Sequence, residues 1–153
     1  MKKKKERQKS FINRKARFQY EFLETLTAGI SLQGTEIKSI REGGVSFVDA
    51  FCMFNKHELF VRNMHIAIYE HGNIYNHEPK RDRKLLLSKR ELRKWKEKVS
   101  EKGLTIIPAK LFINNKGYAK LEIALAKGKQ EQDKREDIKR RDMEREMNNL
   151  DNN

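Results

Sequence analysis

Two runs of basic side chains are spaced to hold phosphate, and one pair of histidines offers the donors of a metal site. Asn13-Arg14-Lys15-Ala16-Arg17 gathers an amide and three cations just before a strand-like segment. Tethered there, they are placed to bind backbone phosphate. Lys80-Arg81-Asp82-Arg83-Lys84 follows Pro79 and reads as a loop whose cations reach a phosphate without serving a helix face. Basic residues continue through Lys89, Arg90, Arg93, Lys94, Lys96 and Lys98, part of which must be the solvated face of a helix. Glu70-His71 and His77-Glu78 place carboxylates beside two imidazoles, a donor set that could serve a metal-dependent nuclease. Their spacing matches no metal motif, and the loop that carries them, with Gly72 and two Asn, favours solvated histidines.

Little else points to catalysis. The chain has no G-x-S-x-G, Walker-type loop, Cys-x-x-Cys or HExxH. Cys52 is its only cysteine, so an intramolecular disulfide is excluded, and its setting in Phe51-Cys52-Met53-Phe54 favours a buried, inert thiol. A non-enzymatic protein without metal or cofactor is expected. The net charge of +13 makes a polyanion the first partner to consider, because clustered Lys and Arg release the counterions condensed on phosphates. An anionic membrane is the second, but there is no apolar run of transmembrane length, and the basic start lacks the apolar stretch of a secretory signal. A cytoplasmic location is expected.

The charge is unevenly placed. Lys127 to Asn153 carries eight bases and eight acids, a net of zero. Met1 to Arg17 carries nine bases against Glu6 alone, a net of +8, which leaves +5 for the rest. The division predicts a basic flexible arm at 1–10, in which Lys2 to Lys5 speed association without fixing register. A folded body spans 11–126, and a charged tail spans 127–153. The hydrophobic content of 37% is low, but it concentrates between Phe18 and Ala126, so the body can fold alone.

The body must position the cations, and alternation dominates it. Phe18, Tyr20, Phe22 and Leu26 line one side of a strand, which Thr27-Ala28-Gly29 is read to break. Gly34 to Arg41 mixes Ile37 and Ile40 with Glu36, Lys38 and Arg41 before Gly43-Gly44. Val45 to Phe54 and Glu58 to Ile66 read as strands joined at Asn55-Lys56-His57, and Leu104 to Ile113 and Tyr118 to Ala126 as another pair. Between the pairs lies one helix, about 88–102. Ser88-Lys89-Arg90-Glu91 is a capping box, Leu92, Trp95 and Val99 follow at helical spacing, and Gly103 ends it. Five or six strands with little βαβ alternation predict an all-β fold with short helices, an antiparallel closed barrel of the OB or SH3-like type.

The tail has helical logic without helical stability. Glu131 to Arg135, Glu136 to Arg140 and Asp137 to Arg141 pair acid with base at i, i+4, worth about 0.2–0.5 kcal/mol each. Nucleation opposes them, and apolar support is limited to Ile138, Met143, Met147 and Leu150. A tail mostly disordered when free, and helical on a partner, is expected.

The blocks Gly34-Thr35-Glu36-Ile37-Lys38-Ser39-Ile40-Arg41 and Leu125-Ala126-Lys127-Gly128-Lys129, with Asp133-Lys134-Arg135 after them, closely resemble the SsrA-binding protein (SmpB) family. Asn13-Arg14-Lys15-Ala16, Asp49-Ala50-Phe51 and Arg83-Lys84-Leu85-Leu86-Leu87 support the match, which covers about residues 11–146. The resemblance implies an OB-type barrel that binds the tRNA-like domain of transfer-messenger RNA (tmRNA) and carries it into stalled bacterial ribosomes for trans-translation. It also implies elongation factor Tu and alanyl-tRNA synthetase acting on the same tmRNA, and a monomer is the expectation. The rival of similar class is a ribosomal or assembly protein that uses the same charges on rRNA.

By that resemblance, Asn13, Lys38, Arg41, Leu86 and Lys120 lie at positions associated with the tRNA-like domain, Glu36 and Ser39 shape the surface, and Arg14, Lys15, Arg17, Arg83 and Lys84 add cations. Glu36 is read as the partner of a nearby Lys or Arg, because an acid facing RNA is electrostatically unfavourable. The tail resembles the segment that occupies the empty mRNA channel near the decoding centre of the small-subunit rRNA, with Lys127, Gly128, Lys129, Asp133, Lys134, Arg135, Ile138, Lys139, Arg140, Arg141 and Met143 as its contact set. The chain departs from the family pattern at Thr27, where glutamate is frequent, and at Gln130, Gln132 and Met143, which bears on stacking by the tail.

Overall fold

The computed structural model describes residues 9–71, 75–129 and 131–151. The arm Lys2 to Lys5 and Gln130 lie outside them, as do the side chains of Gln132, Asp133 and Lys134. The described elements are β1 (Ser10–Ile12), α1 (Arg14–Gln19), β2 (Tyr20–Ile30), α2 (Gly34–Arg41), β3 (Val45–Ser46), β4 (Phe51–Asn55), β5 (Glu58–Arg62), β6 (His65–Ile66), β7 (Arg83–Leu86), α3 (Lys89–Lys102), β8 (Thr105–Ile113), β9 (Ala119–Gly128) and α4 (Glu131–Asp151). The fold is mostly antiparallel β with helices between the strands.

The alternation in β2 is real, but its limits differ from those read in the sequence. Asn13 caps α1, its Oδ1 accepting from the Ala16 amide at 3.3 Å, so Phe18 is helical and the strand starts at Tyr20. It then runs unbroken through Thr27-Ala28-Gly29. Gly29 does not end the strand; it lets β7 approach, since a Cβ there would lie 3.2 Å from the Leu86 Cβ.

Each of the next two expected strands is split. Asp49 (φ 59°) and Asn63 (φ 62°) occupy the left-handed region, which Asp and Asn tolerate. Val45 to Phe54 therefore divides into β3 and β4, and Glu58 to Ile66 into β5 and β6; β3 pairs with β6 in a small second sheet. The Lys80 to Lys84 loop is also corrected, because Arg83 and Lys84 begin strand β7.

In the large sheet the hydrogen-bonded order is β1-β8-β4-β5-β7-β2-β9, and β8 pairs with β9 as well. Inward residues of these strands, among them Leu59, Val61, Leu85, Leu111, Leu121 and Ile123, form one core that Ile40 of α2 and Trp95 of α3 enter. The α3 signals hold as read: Ser88 and Glu91 form the capping box and Gly103 takes φ 62°. A smaller cluster of Ala16, Ile107 and Ala126 seats α1 on the outside of the sheet.

The tail begins later than expected. β9 extends through Lys127 and Gly128, which pair with Glu21 and Tyr20, and Lys129 N donates to Gln19 O at 3.0 Å. Its basic root therefore belongs to the sheet. Beyond it, α4 is a 21-residue helix. Arg141 lies 5.2 Å over the Phe18 ring, a cation–π contact that supplies an anchor its composition lacks.

Glu36 joins α2 to β7. The fully buried carboxylate accepts from Arg81 Nη2 at 2.6 Å, from the Gln33 amide at 2.8 Å and from Arg83 Nε. Arg83, also fully buried, donates on to Met64 O at 2.6 Å and Pro79 O at 3.0 Å. Burial pushes the Glu36 carboxyl up, but the hydrogen bonds from Arg81, Gln33 and Arg83 outweigh it and hold the group below its ordinary 4.5. A carboxyl depressed in the folded state stabilises fully above its unfolded value, and that stability is lost as pH falls through the folded value.

Urea unfolding at pH 7 should show Glu36→Gln destabilised by about 3–5 kcal/mol, since removing one partner leaves the other charge buried and unpaired. The native chain should lose this advantage as pH drops below about 4.5, narrowing its gap to the variant. A gap that stays constant down to pH 3 would show that the Glu36 charge is not what holds α2 to β7.

Candidate nucleic-acid interface

Strand register assembles a row of side chains from three distant segments. Leu86 of β7 stands opposite Gly29 of β2, Gly29 opposite Lys120 of β9, and Lys120 opposite Phe112 of β8. Cross-strand partners share a face of the sheet, and this is the outer face: Leu86 is 53% exposed while Leu85, Leu111 and Leu121 beside it are buried. The next row is Thr27, Glu122 and Lys110. Gly29 contributes by having no side chain, which leaves the surface beside Leu86 and Lys120 open.

α2 flanks this face with cations. Glu36, Ser39 and Ile40 are its buried side, so Lys38 and Arg41 are exposed. The buried side is tightly fixed. Ser39 Oγ donates to Ala67 O at 2.6 Å, and a Cβ on Gly44 would lie only 2.7 Å from that Oγ. Lys38 Nζ sits 5.6 Å over the Tyr69 ring. Arg41 reaches the β8–β9 turn, its Nη2 3.7 Å from where a Cβ on Gly117 would stand. The neighbouring Tyr118 is 64% exposed, and Asn114 Oδ1 fixes the turn by accepting from the Lys116 and Tyr118 amides. Cations, an exposed leucine and an aromatic ring around an open strand can hold phosphates while packing on unstacked bases.

Several expected contact residues are built into the fold instead. Arg83 is buried against Glu36, and Arg81 shares that carboxylate, so the pair holds α2 rather than phosphate. Asn13 is buried, its Nδ2 donating to Pro108 O at 2.8 Å and its backbone amide to Ala109 O at 2.9 Å. Those carbonyls lie where the β8–β9 register shifts, so the buried Asn13 satisfies an irregular strand. Glu36 and Ser39 shape the surface from beneath. Lys84 is exposed and paired with Glu58 at 3.1 Å, a surface pair worth at most about 1 kcal/mol and therefore readily exchanged for phosphate.

On α3, Lys98 and Lys94 lie 2.5 Å and 3.8 Å from Glu24, and Lys96 Nζ donates to Lys56 O. Lys98, the least exposed of them, ties the helix to β2, while Lys89, Arg90 and Arg93 have no carboxylate partner among the described residues.

The histidines separate. His71 is exposed and edge-on to Tyr69. His77 is buried rather than solvated: its Nε2 donates to Ile66 O at 2.8 Å, so its Nδ1 accepts from Thr35 Oγ1 at 2.9 Å. With both nitrogens engaged, His77 has no lone pair for a metal. Burial pushes the Cys52 thiol up and keeps it protonated.

The remaining cations lie elsewhere. Arg14, Lys15 and Arg17 are exposed on α1, over Ala126, which is six residues beyond Lys120 along β9 and so about 20 Å away. Lys139, Arg140, Arg141, Arg135, Ile138 and Met143 are exposed on α4. Sequence reading overlooked Gly29, Lys110, Phe112 and Tyr118 on the first face. Alternation against Leu111 and Ile113 marks Lys110 and Phe112 as outward, but which strands flank them is a matter of register.

Comparison with known proteins assigns the chain to a family. The family model described as SmpB protein matches residues 10–152. An SsrA-binding protein of Christiangramia forsetii is 57% identical over 138 residues, covering 90% of this chain and 88% of the relative. One from Thermosipho africanus is 51% identical over 136 residues, covering 89% and 91%. A solved chain from a tmRNA–SmpB study of the bacterial ribosome superimposes with a TM-score of 0.68 at 50% identity, covering 80% of this chain and 85% of that one. A match that starts in β1 and runs through the outer-face rows into α4 leaves one assignment: this chain belongs to the SmpB family of SsrA-binding proteins.

Proposed function

We propose that this chain is an RNA-binding ribosome-rescue factor, which binds the tRNA-like domain of tmRNA and delivers it to stalled ribosomes for trans-translation. The observation that carries the reading is family membership across both body and tail, joined to the Leu86–Gly29–Lys120 row flanked by Lys38 and Arg41. It acts in the cytoplasm as a monomeric binding factor rather than a catalyst. Elongation factor Tu and alanyl-tRNA synthetase act on the same tmRNA.

The body is an OB-type closed barrel in this reading. Supporting closure, β8 pairs with both β4 and β9, which returns the strand order to its start. Lys38, Arg41 and Lys120 neutralise phosphates, and Leu86 with Phe112 packs on exposed bases. Thr27, exposed in the next row, offers a hydroxyl at the position where the family pattern often has glutamate. The tail serves the ribosome: α4 enters the empty mRNA channel near the decoding centre and contacts small-subunit rRNA. At 1.5 Å per residue its 21 residues span about 31 Å. Its six bases and eight acids let it pass along RNA without adhering throughout, while Lys127 and Gly128, fixed in β9, set its direction.

Removing residues 131–153 should leave affinity for tmRNA within about threefold and abolish peptide tagging on stalled ribosomes. A fall in RNA affinity by orders of magnitude would contradict the division between body and tail. Arg41→Ala and Lys120→Ala should each weaken tmRNA binding and make the slope of log affinity against log salt shallower by about one. An unchanged slope would remove that residue from the phosphate contacts.

A further inference from the structure

A groove of about 600 Å³ opens between α1, the β3–β4 connection and the outer side of β8, and Ile12 at its edge pairs with Lys110 at the border of the Lys120 face. It is large enough for a nucleotide with its hydration, and its lining is divided by chemistry. Arg14 and Lys15 stand at one side, exposed and without a carboxylate partner among the described residues. Tyr20, Phe47 and Phe51 supply half-buried aromatic surface. Asp49 is an exposed acid in an otherwise basic neighbourhood, held by its left-handed backbone (φ 59°). Asn63 Nδ2 bonds its backbone carbonyl, and no hydrogen bond or ion pair reaches its carboxylate among the described residues.

A carboxylate that repels phosphate is unhelpful in a purely electrostatic RNA contact. It becomes useful if it faces donors on a base edge. Guanine alone among the RNA bases offers two adjacent donors, N1–H and N2–H, to the two oxygens of a carboxylate. We propose that this groove takes one unstacked guanine nucleotide of an RNA partner, with its phosphate on Arg14 and Lys15, its ring against the aromatic wall and its Watson–Crick edge on Asp49. The proposal rests on the RNA-binding function above and adds a base-selective site at the border of the Lys120 face. Asn13 has an indirect part in it. By binding Pro108 O and Ala109 O it fixes the start of α1, and thus the position of Arg14 and Lys15 relative to Asp49.

The test titrates the full chain with guanosine 5′-monophosphate and separately with the adenosine, cytidine and uridine monophosphates, reading backbone amide shifts by NMR. The guanine nucleotide should bind most tightly and shift Val48, Asp49 and Phe51. Asp49→Asn keeps the left-handed backbone accessible and should weaken guanosine monophosphate about tenfold, as expected for loss of a bidentate contact, leaving the other three unchanged. Lys15→Gln should weaken all four alike. Equal binding of the four nucleotides, shifts confined to other surfaces, or an unchanged guanine affinity in Asp49→Asn would each overturn the proposal. A gel shift with intact tmRNA, run on the same samples, separates the two levels. Binding there without guanine selectivity removes only this site, whereas no binding removes the RNA-binding function itself.

Discussion

One buried carboxylate organises the half of this molecule that carries the cations of α2. Glu36 receives the Gln33 amide that starts α2, and both Arg81 and Arg83 at the entrance to β7. Arg83 passes the constraint to the carbonyls of Met64 and Pro79, on either side of the excursion between β6 and β7. Removing two charges from water is unfavourable by several kcal/mol each unless every donor and acceptor is matched, and here the matching is done by backbone groups from three separate segments. The carboxyl stays ionised because those hydrogen bonds overcome the effect of burial. Such a knot favours one arrangement of α2, β6 and β7 over looser alternatives, and that arrangement turns Lys38 and Arg41 outward.

Around the knot, the sheet separates the two tasks of each strand by parity. In β7 Leu85 points to the core and Leu86 to solvent, in β9 Leu121 inward and Lys120 outward, in β8 Leu111 inward and Phe112 outward. Register then sets the outward members side by side. Gly29 completes the row because β2 and β7 approach so closely there that a Cβ would lie 3.2 Å from the Leu86 Cβ. Such a face is hard to alter piecemeal, since a one-residue slip of any strand would exchange core and surface residues together.

The ends of the chain obey different physics. α1 is short but held by Asn13 and by its seat on Ile107 and Ala126. α4 has its described apolar residues Ile138, Met143 and Met147 exposed, and meets the body through Arg141 on Phe18. An exposed cation–π contact is worth about 0.5–1 kcal/mol, far less than the packing that holds α1. The tail is therefore the element whose position a partner can reset, whereas its root in β9 is fixed by pairing with β2.

Much of this was legible in the residues themselves. The α3 caps and its Trp95 anchor, the β4–β5 and β8–β9 hairpins, the alternation of β2 and the family blocks depend on short-range chemistry that local sequence carries. The same local view misjudged Asn13, His77 and Arg83, each polar and each in a segment that reads as surface. Nothing nearby reveals that Asn13 faces the carbonyls of a bulge ninety-five residues away, that His77 lies between Thr35 and Ile66, or that Arg83 meets Glu36. Sequence alone determined α3, the β4–β5 and β8–β9 hairpins, the charge distribution and the family. Only the tertiary structure decided which cations are free to meet RNA, because a charge is removed from the surface by a partner distant in the chain, and that pairing exists only once the strands have taken their register.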